Sequence, residues 1–469
     1  MASNLIDSPW KMKLVREIMK VLPRFSQANL VRMAALAERL TADADLKRKA
    51  KGMKEFFAQG HPSIELARVI INRLSSNCRD RLIQDFFLNA SLLGAYRREE
   101  VLGEMGFEPP YVIVVSPTMK CNLRCEGCYA GEYEQKEELS FKEVDDIMEQ
   151  TKDLGIFFVT ISGGEPFVRK DLLDLFEKHR DIYFQIYTNG TLIDKRMAEN
   201  LADLGNAAPV ISVEGFEEET DKRRGKGTFK RVMAAMDHLR ENGVVFGGSL
   251  TETRHNIDLI SNERFVDMLV EKGAMILWYF QYIPIGREPR VDLMPTPEQR
   301  DMLRRRIEHL RTKKPIFIGD FWNDGPHVDG CIAGGRKYLH INAKGDIEPC
   351  VFTHFAVDNI RKTTLKQSLS SNFFKAIRAR QPYRQNLLTP CMIIDAPEVL
   401  REVVKKCKAH PTHPGAETII STLAPHLDMY SREYHKIADK VWEENWAGTR
   451  AYKYALEKCQ AKEVEEVVS

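Results

Sequence analysis

Three cysteines crowd one short run, Lys120-Cys-Asn-Leu-Arg-Cys-Glu-Gly-Cys-Tyr129, at Cys121, Cys125 and Cys128. Thiolate sulfur is the ligand that iron–sulfur clusters and soft metals prefer. A 4Fe–4S cluster has four irons, so three local thiolates leave one iron open to a reactant. A fully ligated cluster only passes electrons. Zinc is the alternative, but structural zinc sites are usually closed by a fourth Cys or His, and none follows within the next twenty residues.

More polar groups follow in a fixed order. In Ser162-Gly-Gly-Glu-Pro166, Gly163 and Gly164 let backbone approach a ligand closely, and Glu165 supplies an acceptor for an ammonium group. Asn189 sits in Thr188-Asn-Gly190, which serves equally as a turn. Ser212 and Glu214 share one face if the chain there is a strand, because alternate side chains point the same way. His255 is a candidate proton carrier by its titration range, against the plainer role of a local hydrogen-bond partner. Tyr279, Gln281 and Tyr282 are expected to line the substrate side.

These residues need a scaffold, and the pattern supplies one. Residues 1–108 read as helices: Leu14, Ile18, Val21 and Leu22 recur at helical spacing before Pro23, and Leu30, Met33, Leu36 and Leu40 repeat after it. That basic, amphipathic start is either a helical cap on the catalytic domain or a contact with an anionic membrane surface. Pro109 and Pro110 mark a change. Six apolar runs then alternate with helical patterns: Tyr111–Val115, Phe157–Ser162, Tyr183–Tyr187, Val210–Val213, Val244–Leu250 and Ala274–Phe280. Alternation of this kind signals βα units and a parallel sheet. Six units are too few for a closed eight-stranded barrel. Parallel βα folds place their sites at the carboxyl ends of strands, and each motif above falls at or beyond such an end. Farther on, Tyr338–Ile341 and Asp346–Pro349 flank a Gly-containing loop and read as a hairpin that brings Cys331 and Cys350 together.

The CxxxCxxC spacing followed by Tyr129, with the downstream pieces in order, resembles the radical S-adenosylmethionine (radical SAM) enzymes. Gly127 stands where the family's best-known form has an aromatic, and Tyr129 follows the third cysteine instead. The resemblance implies an α/β fold: an open six-stranded (βα)6 partial TIM barrel. It also implies that Gly163, Gly164 and Glu165 receive the cofactor's methionine amino group. Asn189, Ser212, Glu214 and an arginine, Arg223 ahead of Arg224, are its further contacts, with Tyr129. The run from Cys331 through Gly345 to Cys350 resembles the opening of the SPASM cluster domain. Only Cys391 and Cys407 remain nearby, which implies one auxiliary 4Fe–4S cluster on four thiolates in a shortened domain, with electron transfer as its role; a closed four-cysteine site also suits zinc.

The organisation expected is a helical extension (1–108), the radical SAM core (109–320), a SPASM-like domain (321–410) and a helical C-terminal segment (411–469). The activity implied is reductive cleavage of S-adenosylmethionine to a 5′-deoxyadenosyl radical that takes a hydrogen from an unactivated carbon. A peptide-modifying maturase is one version of it; a non-catalytic iron–sulfur carrier or a zinc-stabilised binding module is the rival of another class. A reducing partner such as flavodoxin or ferredoxin is implied, with a small-molecule, lipid or peptide substrate. Charge is balanced, 69 basic against 67 acidic residues in 469, so no global field argues for nucleic acid. An odd nine cysteines whose grouping suits ligands better than disulfides, no apolar signal core and no membrane-span-length apolar run fit the cytoplasm.

Overall fold

The computed structural model describes residues 16–21, 24–40, 44–134 and 136–468. Leu14, Leu22 and Pro23 lie outside them. The chain opens with helices α1 (Gln27–Leu40), α2 (Ala44–Ala58), α3 (Ser63–Arg73), α4 (Ser76–Arg81), a π-wound continuation (Leu82–Leu93) and α5 (Gly94–Met105). Helices α1 and α2 pair with each other and leave Met33, Leu36, Met53 and Phe56 exposed.

The barrel follows as β1 (Val112–Val115), α6 (Phe141–Asp153), β2 (Phe158–Ile161), α7 (Leu172–Lys178), β3 (Tyr183–Thr188), α8 (Lys195–Leu204) and β4 (Ala207–Ser212). It continues through α9 (Glu217–Arg224), α10 (Thr228–Glu241), β5 (Gly247–Glu252), α11 (Glu263–Lys272) and β6 (Ile276–Gln281). Sequence-based strand bounds agree to within three residues. The local reasons are those the pattern offered. In α6, Ser140 and Glu143 form a reciprocal capping box, and Val144, Ile147 and Met148 are buried at helical spacing. Helix α9 is the exception. Its eight residues are almost all charged and carry no apolar period, yet Glu217–Glu219 open it and Lys222–Arg224 close it, as the helix dipole favours.

A seventh strand, β7 (Phe317–Asp320), follows α12 (Pro297–Arg311) and pairs in parallel with β6. It was not anticipated: four residues with a glycine carry too little alternation to read. The expected six-stranded sheet is therefore seven strands wide before the C-terminal part joins it. The hairpin forms as β8 (His340–Ile341) and β9 (Ile347–Glu348), and β8 pairs in parallel with β1. The order is β7-β6-β5-β4-β3-β2-β1-β8-β9, so β7 and β9 are unjoined edges and the barrel is open. This pairing stitches the second cysteine region to the strand that delivers the first.

The rest is β10 (Phe355–Ala356), α13 (Leu365–Leu369), α14 (Asn372–Ala379), α15 (Pro397–Cys407), β11 (His410–Pro411), α16 (Ala424–Trp446) and α17 (Arg450–Val468). Helix α16 packs on α12, where the fully buried Arg300 donates to both oxygens of Asp395 at 2.6 and 3.2 Å. Its guanidinium also lies over the Tyr434 ring, 3.8 Å from the centroid. One apolar core runs through the barrel and the C-terminal part. Among the described residues no helix is long and apolar enough to cross a membrane.

Candidate functional site

The loop after β1 carries Cys121, Cys125 and Cys128, all half-buried free thiols. Its shape is set by the loop after β2. Gly164 N–H donates to Thr118 O at 3.0 Å and Glu165 N–H to Lys120 O at 2.8 Å. An added Cβ on Gly163 would meet Thr118 O at 2.3 Å, and one on Gly164 would meet Lys120 O at 2.2 Å. Only glycine permits that approach, which explains the pair. On the other side, Gly127 lies under Tyr282, and Arg287 donates to Cys125 O at 3.1 Å.

The thiols stand in a donor-rich setting. Leu123 N–H points at Cys121 Sγ (3.4 Å), Asn189 Nδ2 approaches the same sulfur (4.0 Å), and Arg224 Nη1 approaches Cys125 Sγ (4.0 Å). Burial pushes the Cys121 thiol up to about 11 and raises Cys128 as well. Partly buried sulfurs that resist ionising alone, yet face N–H donors and a guanidinium, suit a bound metal centre that ionises them. The zinc alternative loses ground here. A tetrahedral site with Zn–S bonds of about 2.3 Å needs sulfurs about 3.8 Å apart. Among the described residues the one set of three ligand atoms within 4.8 Å of one another is Asp145, Glu149 and His179, which holds no cysteine and whose Asp145 is ion-paired to Lys178.

The rim residues divide. Glu214 is buried, and its Oε1 accepts from Arg223 and Arg224 at 2.7 Å. Burial alone would raise its pKa, but the two guanidiniums hold it below the usual value. Its Oε2 is buried with no partner, an acceptor aimed at nothing in the chain. Of the two arginines it is Arg224 that approaches Cys125 Sγ. Ser212 ends β4 half-buried. Tyr129 hydroxyl pairs with Ser162 Oγ at 2.8 Å, while its ring packs on Phe352 and His354 from the C-terminal part.

Four of the expected residues have partners or positions set by the fold. Glu165 is buried and accepts from Thr188 Oγ1 (2.8 Å), Asn189 N (2.7 Å) and Phe167 N (3.1 Å), so it fastens the glycine loop to the end of β3. Asn189 is largely used in that same turn, bonded to Thr191 and Asn122. Tyr279 does not line a substrate side: successive residues of β6 face opposite ways, and its hydroxyl donates to Ile260 O in the outer helical layer. Trp278 and Phe280 point inward instead, where Phe280 meets Tyr187. His255 is exposed in a turn after β5.

Of the second set, Cys331, Cys350 and Cys391 line one cavity of about 650 Å³. Tyr338 hydroxyl donates to Cys350 Sγ at 2.6 Å, and Ile393 N–H points at Cys391 Sγ at 3.3 Å. Burial raises all three thiols, Cys350 to about 12. Cys407 is not brought to them; it ends α15 and donates to Asn372 O at 3.7 Å. Sequence reasoning missed the roles of Tyr338, read only as the start of a hairpin strand, and of Arg287, which lies in no recognisable motif. It also missed the buried network in which Tyr133 hydroxyl meets Glu348, His354 and Thr412.

Residues 115–262 match the Radical SAM superfamily, and residues 331–392 match SPASM, an iron–sulfur cluster-binding domain. The chain is 30% identical over 230 residues to the Fe-coproporphyrin III synthase of Methanosarcina barkeri, covering 46% of this chain and 57% of that protein's length. It is 30% identical over 316 residues to the mycofactocin maturase MftC of Mycolicibacterium smegmatis (62% and 78% covered) and 27% identical over 273 residues to the PqqA peptide cyclase of Gluconobacter oxydans (55% and 76%). The solved structure of SuiB from Streptococcus suis bound to S-adenosylmethionine superposes with a TM-score of 0.54 at 20% identity, covering 64% of this chain and 76% of that one, a likeness of fold. A 4Fe–4S cluster with S-adenosylmethionine, and an auxiliary iron–sulfur site, go with these two domains. The open parallel barrel, the cysteine loop clasped by paired glycines and these matches agree: the chain belongs to the radical SAM superfamily and is one of its SPASM-containing enzymes.

Proposed function

We propose that Cys121, Cys125 and Cys128 hold the cofactor cluster, that S-adenosylmethionine lies between the Gly163–Gly164 backbone and the Glu214–Arg224 pair, and that Cys331, Cys350 and Cys391 hold the auxiliary cluster. When bound, the cofactor pair supplies a 5′-deoxyadenosyl radical that takes a hydrogen from an unactivated carbon of the substrate. The observation that carries this reading is the contact between the two loops: the paired glycines let the loop after β2 close directly on the backbone of the cysteine loop. Glu214 Oε2 is an acceptor suited to a hydroxyl of the nucleoside. Arg224 sets a positive charge beside the cysteine sulfur, where a carboxylate or added electron density is stabilised. Tyr129 and the inward aromatics Tyr187, Phe280 and Phe352 keep water from the barrel interior.

A peptide substrate is supported by relatives whose names record a peptide cyclase and a maturase. An apolar, membrane-near substrate is the second reading, favoured by the exposed Met33, Leu36, Met53 and Phe56 beside the barrel. The enzyme works in the cytoplasm and draws electrons from a flavodoxin or ferredoxin. Anaerobic reconstitution with dithionite and S-adenosylmethionine tests the core: the protein releases 5′-deoxyadenosine, and Cys125→Ala does not. Equal release from both would refute the assignment. Binding to anionic liposomes, lost on removing residues 1–60, separates the second substrate reading from the first.

A further inference from the structure

The tip of the first cysteine loop is held between two other loops of the barrel rim. On one side Asn122 Nδ2 donates to Thr191 Oγ1 at 2.9 Å, which ties the tip to the turn between β3 and α8. On the other, Glu126 N–H donates to Arg223 O at 3.0 Å, which ties it to the α9–α10 corner. This face carries the exposed side chains of Arg124, Lys222, Lys226 and Lys230. Among the described residues none of these four makes an ion pair or a side-chain hydrogen bond. Elsewhere on the barrel lysines are paired, as Lys142 with Asp146, Lys178 with Asp145 and Lys272 with Asp237. The carboxylates of the face are engaged. Asp221 accepts from Gly227 N–H and Phe229 N–H at 2.5 and 2.8 Å, Asp194 accepts from Met197 N–H at 2.8 Å, and Glu126 pairs with Arg290 at 2.8 Å. The face is therefore net positive. Leu192, next to Thr191 and 37% exposed, and the half-buried Leu123 add apolar surface beside the tip. Cys121 and Cys125 are themselves only half-buried there.

We propose that this face docks an acidic one-electron carrier protein, which delivers its electron to the first cluster through the loop tip. This rests on the assignment of Cys121, Cys125 and Cys128 to that cluster, and it names the surface its reductant uses. The carrier is oxidised by one electron and the cluster reduced by one; no bond forms or breaks. A small apolar centre with a charged rim suits a weak, short-lived encounter, the kind electron carriers make. Unpaired cations raise the rate of encounter with an acidic partner without adding a large buried area.

The test uses the full-length reconstituted protein and its variant Lys222→Gln/Lys226→Glu/Lys230→Glu. Lys222 closes α9 and is only neutralised, so the helix dipole is not opposed, while Glu at position 230 suits the first turn of α10. Iron content and 5′-deoxyadenosine release driven by dithionite stay unchanged, because a small reductant needs no docking face. Release driven by a reduced acidic flavodoxin needs at least about tenfold more carrier for half-saturation, and calorimetry with oxidised flavodoxin shows the same rise in Kd. In the unaltered protein, raising salt from about 0.01 M to about 0.15 M cuts the screening length from about 30 to about 8 Å. Flavodoxin binding then weakens by at least about tenfold, and in the variant it weakens less. Lys313→Gln/Lys375→Glu/Lys453→Glu, at exposed sites after α12 and on α14 and α17, changes the total charge equally and leaves both routes as they were. A flavodoxin response unchanged in the first variant, or lost equally in the second, overturns the proposal. So does loss of dithionite-driven release in the first variant, or binding of phosphatidylglycerol vesicles that this variant loses while its flavodoxin response is kept. No 5′-deoxyadenosine from dithionite in the unaltered protein overturns the cluster assignment instead.

Discussion

The Arg224 guanidinium stands 4.0 Å from Cys125 Sγ and is held there by the buried carboxylate of Glu214. Two residues from one strand end and the helix after it thus set a fixed positive charge against the cysteine loop. Arg224→Met removes that charge and keeps much of the bulk. Adding an electron to the cluster then becomes harder by about 1 kcal/mol, or ~40 mV more negative for a one-electron couple. Redox titration of the reconstituted protein checks it. Arg223→Met, whose side chain meets Glu214 but not the sulfur, moves the potential less.

Gly164→Ala drives a Cβ to 2.2 Å from Lys120 O, a backbone atom that cannot turn away. The two loops must separate, so we expect iron content at the first site to fall by more than half and S-adenosylmethionine cleavage to fall by at least about tenfold. Gly225→Ala is the control. It has a positive φ, at 103°, which Gly164 lacks, and meets nothing within 4 Å, so the cost is backbone strain of about 1–3 kcal/mol without loss of iron.

Tyr338→Phe deletes the hydroxyl that donates to Cys350 Sγ at 2.6 Å. Hydrogen bonds to sulfur stabilise the reduced cluster. Losing one worth about 1 kcal/mol makes the auxiliary potential ~40 mV more negative, with iron content retained. The first site's potential, measured in the same sample, stays put.

His413 is buried among Tyr133 and His354, and burial lowers its pKa from 6.5 to about 4. The folded state therefore holds it neutral where the unfolded chain takes up a proton. Its contribution is fully present above pH 6.5 and is lost as pH falls towards 4, up to about 3 kcal/mol in all. Thermal unfolding between pH 7.5 and pH 5 shows the loss. His413→Gln flattens that slope, and an unchanged slope would assign it to other groups.

What the sequence determined by itself was whatever depends on neighbours along the chain. The spacing of Cys121, Cys125 and Cys128, the glycine pair at 163–164 and the alternating βα pattern are local. Side-chain periodicity and ligand spacing act within one loop or one strand, so they read directly. Short or unpatterned elements such as β7 and the charged α9 did not, because pairing with β6 and the contact with Glu214 decide them. Only the tertiary structure brought Arg224 to the Cys125 sulfur, turned Tyr279 away from the barrel and bonded Glu165 to the end of β3. It likewise gathered Cys391, but not Cys407, with Cys331 and Cys350. Each of those outcomes turns on which face of an element meets a distant partner, and that is fixed by packing across the sheet rather than by the order of residues along it.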